Sequence, residues 1–274
     1  MAKQVAKTTK PVKTAKAVKK PAEKTPPAAP PESSRYKYAL YLVLSAAVAF
    51  IGAQILGPTI IAFCALFGGV KGTELVSFLD STVMRFVMIL SIEFLTVWGV
   101  MMLLRRRKWS WGDIGLGRKP QWLDAAHGGL FYLIYMAIFL AVYWLEQVTG
   151  LINTEQAQQL GFDNAKGPVL IFVLFALVIL PPVAEEIIFR GYIFMGLRKR
   201  LTYIQSALIT SVLFGIAHLE FGSGAPLNWA AAIDTFTLSM VLTYVADKYK
   251  SLWPGMAIHA IKNLLAFTML FLVK

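Results

Sequence analysis

The chain has 274 residues, of which 57% are apolar and 15% are charged, and its formal net charge is +12 at pH 7. A mean hydropathy of +0.60 excludes an ordinary soluble domain and predicts a helical protein that crosses a membrane several times. The single cysteine, Cys64, excludes an intrachain disulfide framework and a CxxC redox or zinc site, and we expect it to be a small buried residue.

The first 37 residues form a basic tail. They hold ten of the 27 lysine and arginine residues, and residues 1–34 are rich in lysine, alanine and proline. A segment with so few apolar side chains is expected to be disordered, because it has little to bury. The tail runs directly into an apolar span, so we favour anionic lipid over nucleic acid as its partner.

Seven apolar segments follow the tail, each near the ~20 residues that a bilayer core requires. We predict an all-α transmembrane bundle with spans at residues 38–56 (with an extension to 67), 83–104, 125–148, 169–197, 204–221, 227–246 and 252–273. We divide the chain into the tail at 1–37, N-terminal transmembrane helices at 38–112 and a core at 113–274. The alternative is a re-entrant helix around Glu185, with a different parity.

The distribution of basic residues predicts the orientation. With the tail in the cytoplasm, the inner segments carry 21 lysine and arginine residues, and these segments are 1–37, 105–124, 198–203 and 247–251. The outer segments carry only Lys71, Lys166 and Lys274. This asymmetry fits the positive-inside rule. It predicts an integral membrane protein, for which we favour a bacterial plasma membrane, with the N-terminus inside and the C-terminus outside.

Charged residues interrupt the fourth apolar run at Glu185, Glu186 and Arg190. Glu186 and Arg190 are four residues apart, so they share one helical face and can form an ion pair. The helical period turns Glu185 about 100° away from Glu186, and we expect it to point elsewhere. Charged groups at membrane depth are rare and indicate a functional site by default.

Two further polar clusters lie in other spans. His218 follows Phe214 by four residues in the fifth span, with Glu220 close behind, and His259 and Asn263 lie four apart on one face of the seventh. Three helices therefore offer polar groups to a shared cavity.

The residue types in these clusters suit hydrolysis. A desolvated glutamate such as Glu185 is a better proton acceptor, and a neutral imidazole such as His218 can share an activated water with it. His259 and the Asn263 amide can donate hydrogen bonds to a developing oxyanion. The set favours attack of water on an amide carbonyl within a membrane.

Metal is permitted by the sequence rather than indicated by it. Two imidazoles and a carboxylate are enough to hold catalytic zinc, and Glu185, His218 and His259 would be its ligands. However, the chain has no HExxH or equivalent spacing of paired ligands. We therefore assign no cofactor with certainty and keep zinc as an alternative.

The intramembrane polar residues also fit a structural role or a transporter. Polar side chains commonly bond across helices in membrane bundles, and Arg85, Glu93, Asp234 and Lys262 indicate that this bundle tolerates further polar groups. A proton- or ion-coupled transporter would also place glutamate, histidine and arginine inside the membrane. The sequence shows no internal repeat, which argues against a transporter built from inverted repeats.

The motifs Glu185-Glu186-x-x-x-Arg190, Phe214-x-x-x-His218 and His259-x-x-x-Asn263 together resemble the signature of the CPBP (CAAX protease and bacteriocin-processing) family of intramembrane proteases. The resemblance covers about residues 113–274. It implies an endopeptidase whose substrate is a membrane-associated protein or peptide, or alternatively a non-catalytic scaffold or bacteriocin self-immunity protein of the same fold.

The resemblance also implies roles for the motif residues. Glu185 would activate the hydrolytic water with assistance from His218. His259 and Asn263 would stabilise the oxyanion. Glu186 would share the catalytic role or, with Arg190, support it, and Phe214 would be a further supporting residue.

Overall fold

The structure is a computed structural model, and it describes residues 1, 31–150, 161–162, 165–219 and 227–273. The described residues contain no strand. Their helices of eight or more residues are α1 Glu32–Phe67, α2 Gly72–Leu79, α3 Thr82–Arg107, α4 Trp122–Thr149, α5 Gly167–Arg198, α6 Tyr203–Ile216, α7 Trp229–Tyr249 and α8 Trp253–Phe271. The all-α prediction is confirmed. Apart from its ends, the predicted basic tail lies outside the described residues.

Six of these helices are long and apolar enough to cross a membrane: α1, α3, α4, α5, α7 and α8. Helix α1 includes the predicted extension past Pro58 and reaches Phe67. It also begins earlier than predicted, so residues 32–37 of the predicted tail are helical. Glu32 lies in the first turn, where a negative charge is stabilised by the helix dipole.

Helix α6 differs from the predicted fifth span at 204–221. It has 14 residues and ends at Ile216. The apolar sequence continues through Ala217 and Leu219, but the backbone turns there, and the N–H of His218 donates to the carbonyl of Gly215 at 3.0 Å. Hydropathy alone does not define where a helix ends. His218 therefore lies in the turn after α6 rather than within a span, and Glu220 lies outside the described residues.

Helix α5 is continuous over 32 residues but is not a regular α-helix. It has π-helical turns at Phe175–Ile179 and again at Glu186–Phe194. Pro181 and Pro182 lie between them, and proline supplies no N–H for the helical hydrogen bonds. A π turn is wider than an α-helical turn. Such turns are rare in proteins as a whole, and those that occur are often found at functional sites.

The core surrounds the second half of α5. The fully buried side chains of Ile188, Tyr192 and Phe194 pack with buried leucines of α7, Leu238 and Leu242. Helices α1, α3, α6 and α8 also contact α5. The faces of α1 and α4 that no described helix covers carry apolar side chains that suit lipid.

Cys64 lies on such an uncovered face of α1, and it is exposed. The expectation that it would be buried in the protein is wrong. A small apolar side chain needs no protein cover where the surroundings are themselves apolar.

The segment after α3 fixes one end of α5. Ile114 is fully buried, and a side chain at Gly191 would lie 3.2 Å from the Ile114 carbonyl oxygen. Gly115 has a φ of +88°, and its carbonyl accepts a hydrogen bond from the Leu252 N–H at 3.1 Å. Glycine is favoured at this φ because it has no Cβ. The segment thus joins α5 to the start of α8.

Candidate active site

The predicted ion pair between Glu186 and Arg190 is confirmed. Arg190 Nη1 lies 2.9 Å from Glu186 Oε1, and the side chains of Arg190 and Glu186 are 0% and 1% exposed. The Arg190 guanidinium also lies 4.1 Å from the ring centroid of Phe214, within range of a cation–π interaction. The pair therefore lies inside the bundle, held between α5 and α6.

His259 of α8 contacts both glutamates of α5. Its Nδ1 lies 3.4 Å from Glu186 Oε1, and its Nε2 lies 3.7 Å from Glu185 Oε2. The expectation that Glu185 points away from Glu186 toward other surroundings is therefore wrong. The two carboxylates reach the imidazole ring of His259 at different nitrogens, so this one ring joins them.

Gly255, one turn before His259, makes room for this arrangement. A Cβ at Gly255 would lie 3.0 Å from Glu186 Oε2 and 3.6 Å from a methyl carbon of Leu242. Any larger residue would displace the Glu186 carboxylate. The glycine therefore allows α8 to approach α5 closely enough for His259 to reach both carboxylates.

The contacts of His259 define its preferred tautomer. A carboxylate oxygen can only accept a hydrogen bond, so the proton belongs on Nδ1, facing Glu186. Nε2 then faces Glu185 across 3.7 Å, a distance longer than a hydrogen bond and suited to a bridging water. Glu185 Oε2 is buried and has no hydrogen-bond partner among the residues that the structure describes.

His218 is fixed by Phe214. Its Nδ1 lies 2.8 Å from the Phe214 carbonyl oxygen, which can only accept, so Nδ1 carries the proton and Nε2 remains an acceptor. The Phe214 ring lies 4.7 Å from the His218 ring and 5.9 Å from the His259 ring, between centroids. The three predicted clusters therefore meet around Phe214.

Asn263 makes a contact that the sequence did not predict. Its Nδ2 donates to the carbonyl oxygen of Leu177 at 2.8 Å. The residues four and five positions after Leu177 are Pro181 and Pro182, so α5 itself has no N–H for this carbonyl. One N–H of the Asn263 amide thus supplies the hydrogen bond that the prolines of α5 cannot donate to Leu177. The second N–H of the amide remains for the predicted contact with the oxyanion.

Sequence reasoning treated Glu93 only as a tolerated polar residue. In the structure, Glu93 lies on α3, which packs against the part of α5 that carries Glu185. Its Oε2 is buried and has no hydrogen-bond partner among the described residues. The general rule that a carboxylate inside a span marks a functional site would have identified it.

A second polar network lies beside the site. Lys262 Nζ pairs with Asp234 Oδ2 at 2.8 Å, and the hydroxyl of Tyr135 donates to Asp234. The network links α4, α7 and α8. Lys262 follows His259 by three residues, so this ion pair helps to fix the rotation of α8.

Within the described ranges, no group of three or more histidine, cysteine, aspartate or glutamate side chains is placed to hold a metal ion. Glu185 Oε2 and His259 Nε2 lie 3.7 Å apart, but His218 does not join them in such a group. The zinc ligand set considered from the sequence is therefore not assembled by these side chains, and we derive no step through a metal.

Residues 167–265 match the family model described as Type II CAAX prenyl endopeptidase Rce1-like. This segment matches the CPBP family. It contains all three motifs, and the recognition from the motifs is confirmed over these residues. At the level of the family, the match indicates a CAAX protease-like hydrolase or a related fold in the membrane.

Among curated proteins, the chain is similar to the uncharacterized protein YyaK of Bacillus subtilis (strain 168). The two are 30% identical over 139 residues, which cover 47% of this chain and 44% of YyaK. The chain thus spans less than half of the length of that relative. No solved structure matches the chain.

Proposed function

We propose that the chain is an intramembrane endopeptidase of the CAAX protease type, which hydrolyses a peptide bond in a membrane-associated protein or peptide. One observation carries the proposal: the ring of His259 lies between Glu185 and Glu186, and its Nε2 and the buried Glu185 Oε2 face each other across 3.7 Å. A carboxylate and an imidazole at this separation can both accept hydrogen bonds from one water molecule that lies beside them.

In the proposed reaction, Glu185 is the general base. It takes a proton from water as the water oxygen attacks the substrate carbonyl carbon. It then returns that proton to the amide nitrogen that leaves. Nε2 of His218 is free to accept a hydrogen bond. The two hydrogens of the water would point to Glu185 and His259, so His218 would accept from an N–H of the substrate and orient the substrate instead. Burial of the site makes such proton transfers more effective, because bulk water does not compete.

Glu186 and Arg190 would act through His259. The Glu186 carboxylate accepts a hydrogen bond from Nδ1–H of His259, and Arg190 forms an ion pair with the same carboxylate inside the bundle. With its proton on Nδ1, His259 would accept the second hydrogen of the water at Nε2, and the second amide hydrogen of Asn263 would donate to the oxyanion.

The test is a comparison of protein termini in membranes that contain the wild-type chain, Glu185→Gln or the control Glu74→Gln. Glu74 lies in α2, away from the site, so the control makes the same chemical change elsewhere. We expect new termini with the wild type and the control. Glu185→Gln should form them roughly 100- to 10,000-fold more slowly, the range typical of losing a general base. The same termini formed at the same rate with Glu185→Gln would contradict the proposal.

The second candidate is a non-catalytic scaffold or self-immunity protein. It is favoured by the structural use of two motif elements: the buried Glu186–Arg190 pair and the bond from Asn263 to Leu177. This candidate predicts that Glu185→Gln and His218→Ala keep the cellular phenotype of the wild type. The comparison of termini would then show no cleavage by any variant.

A further inference from the structure

A cationic cavity lies where α1 begins and where α3 and α5 end. It has a volume of about 470 Å³ and is lined by Tyr38, Arg107, Trp109, Lys199 and Arg200. Three of its five lining residues are basic, two are aromatic and none is acidic. The cavity is separate from the candidate active site, and no residue of the three motifs lines it.

Arg107 is the innermost cation. Its Nε donates to the hydroxyl of Tyr192 at 2.7 Å, and its guanidinium carbon lies 5.1 to 5.4 Å from the ring centroids of Tyr38, Tyr41 and Trp109. Its Nη2 is buried and has no hydrogen-bond partner within the described part of the chain. A guanidinium held by aromatic rings with a donor left over is ready to bind an oxyanion.

The tyrosine that holds Arg107 is itself fixed. Because Arg107 donates to the Tyr192 oxygen, the Tyr192 proton is free to donate to Ser45 Oγ at 2.9 Å. Ser45 in turn donates to the Leu42 carbonyl at 2.9 Å. Arg107 is therefore positioned before any ligand binds, which lowers the entropy lost on binding.

The other cations leave an excess of positive charge. Lys199 pairs with Asp113 at 3.0 Å and lies 4.0 Å from the ring centroid of Trp109. Hydrogen bonds from the backbone and the hydroxyl of Ser110, together with Lys199, lower the pKa of Asp113 to about 2, so this pair is ionised at neutral pH. In the part of the chain that the structure describes, neither Arg107 nor Arg200 forms an ion pair.

The surface beside the cavity is apolar. Tyr41, Leu44 and Val48 follow each other at helical spacing along α1, and they are 64%, 55% and 75% exposed. Tyr41 is one of the rings around Arg107, so this apolar stripe begins at the cavity and runs toward the middle of the span. A molecule that fills both places has an anionic head and hydrocarbon chains.

We propose that this cavity binds the phosphate of an anionic lipid headgroup, whose acyl chains lie along Tyr41, Leu44 and Val48 of α1. Arg107 and Arg200 supply charge-assisted hydrogen bonds to the phosphate, and Trp109 and Tyr38 lie at the depth where aromatic side chains meet the headgroups. This site belongs to the folded bundle and does not depend on the basic tail.

The test uses the full-length protein reconstituted in bilayers of phosphatidylcholine with about 20% phosphatidylglycerol, an anionic lipid that basic sites attract. Mass spectrometry then measures the lipids that remain bound. The cavity variant is Arg107→Gln with Arg200→Gln. The control variant is Arg105→Gln with Arg106→Gln, which removes the same charge from exposed positions on the same helix end. The tail is present in every protein, so its contribution cancels.

We expect the wild type and the control to retain phosphatidylglycerol over phosphatidylcholine, and the cavity variant to lose this preference by about tenfold or more, since one charge-assisted hydrogen bond to phosphate is of that size. Equal retention by the wild type and the cavity variant would overturn the proposal. An equal loss in the control would also overturn it, because it would show that only general surface charge matters.

Two further measurements complete the test. If the cavity variant does not fold, Lys199→Gln with Arg200→Gln replaces it, since both side chains are exposed. Inorganic phosphate and glycerol phosphate are added at millimolar concentration: failure to displace the lipid supports a lipid site, and full displacement assigns the cavity to a soluble phosphate instead. Glu185→Gln must retain the lipid like the wild type, which separates this test from that of proteolysis.

Discussion

At the scale of single residues, the site depends on a charge pair that lies inside the bundle. Arg190 is the ion-pair partner of Glu186, and Glu186 in turn orients His259. A buried pair contributes little net stability compared with apolar residues, but removal of one partner leaves a charge without compensation. The two ways of removing this pair should therefore differ.

We expect Arg190→Met to lower the free energy of unfolding by about 3–5 kcal/mol, because Glu186 then remains buried without its partner. The double variant Glu186→Gln with Arg190→Met should recover a large part of that loss. Thermal unfolding in detergent measures both. A double variant that is less stable than Arg190→Met would contradict this account.

Asn263 donates one hydrogen bond to Leu177 in the structure and a second one, to the oxyanion, in the proposed reaction. Two variants can test these roles separately. Asn263→Ala leaves the Leu177 carbonyl without a donor, which should cost about 1–3 kcal/mol of stability. Adding Pro181→Ala restores a backbone N–H four residues after Leu177 and should restore stability.

Activity should not return in that double variant if Asn263 also donates to the oxyanion. Its stability and its rate of substrate cleavage are the two measurements. Recovery of both would limit Asn263 to the repair of α5. Recovery of neither would show that Pro181→Ala does not rebuild the helix.

The predictions for single residues were confirmed where the two residues of a contact lie in the same helix. The spacing of Glu186 and Arg190 on one face of α5 predicted their ion pair, because a local period brings them together. The sequence also predicted that the three polar clusters meet. It did not predict that His259 contacts both Glu185 and Glu186, because this depends on the close approach of α8 to α5 that Gly255 allows, which side-chain spacing does not show.

At the scale of elements, close helix contact depends on particular glycines. A Cβ at Gly128 of α4 would lie 2.6 Å from the Cβ of Ala257 in α8, whereas a Cβ at Gly129 would have nothing within 4 Å among the described residues. Helices in membranes pack through small residues because their backbones must approach closely. α8 carries His259, so its packing on α4 also positions the site.

We expect Gly128→Ala to lower the melting temperature by several degrees, since α4 and α8 must move apart, at a cost of about 1–3 kcal/mol for overpacking. The neighbouring Gly129→Ala should leave it unchanged or raise it slightly, because alanine favours helix over glycine. Thermal unfolding of the two variants is the measurement. Equal destabilisation by both would show that the effect is not contact with α8.

Most long helices could be predicted because a long apolar segment in a membrane must satisfy its own backbone hydrogen bonds, and an α-helix does so. The limits of that reasoning are specific. The eight residues of α2 were not predicted as a helix, and α6 was predicted too long, because hydropathy reports the surroundings of a residue and not its backbone conformation. The π turns of α5 on both sides of Pro181 and Pro182 were not predicted either, for the same reason.

At the scale of the whole molecule, the basic residues predict a cytoplasmic N-terminus and an external C-terminus. With six long helices, this orientation requires that α6 also crosses the membrane. Reporter proteins fused to each end of the chain should therefore lie on opposite sides. Reporters on the same side would show the alternative parity, in which either α6 or the helix around Glu185 enters the membrane without crossing it.

Helix α6 is shorter than the membrane that surrounds it. Its 14 residues extend about 21 Å, against a hydrocarbon thickness of about 30 Å. A bilayer accommodates a short helix by becoming locally thinner, at a modest cost in free energy. Because His218 lies just beyond the end of α6, the headgroup region and its water would be drawn inward toward this histidine. The shape of the bilayer around α6 would then supply the water that a hydrolase consumes, at a depth that water does not ordinarily reach.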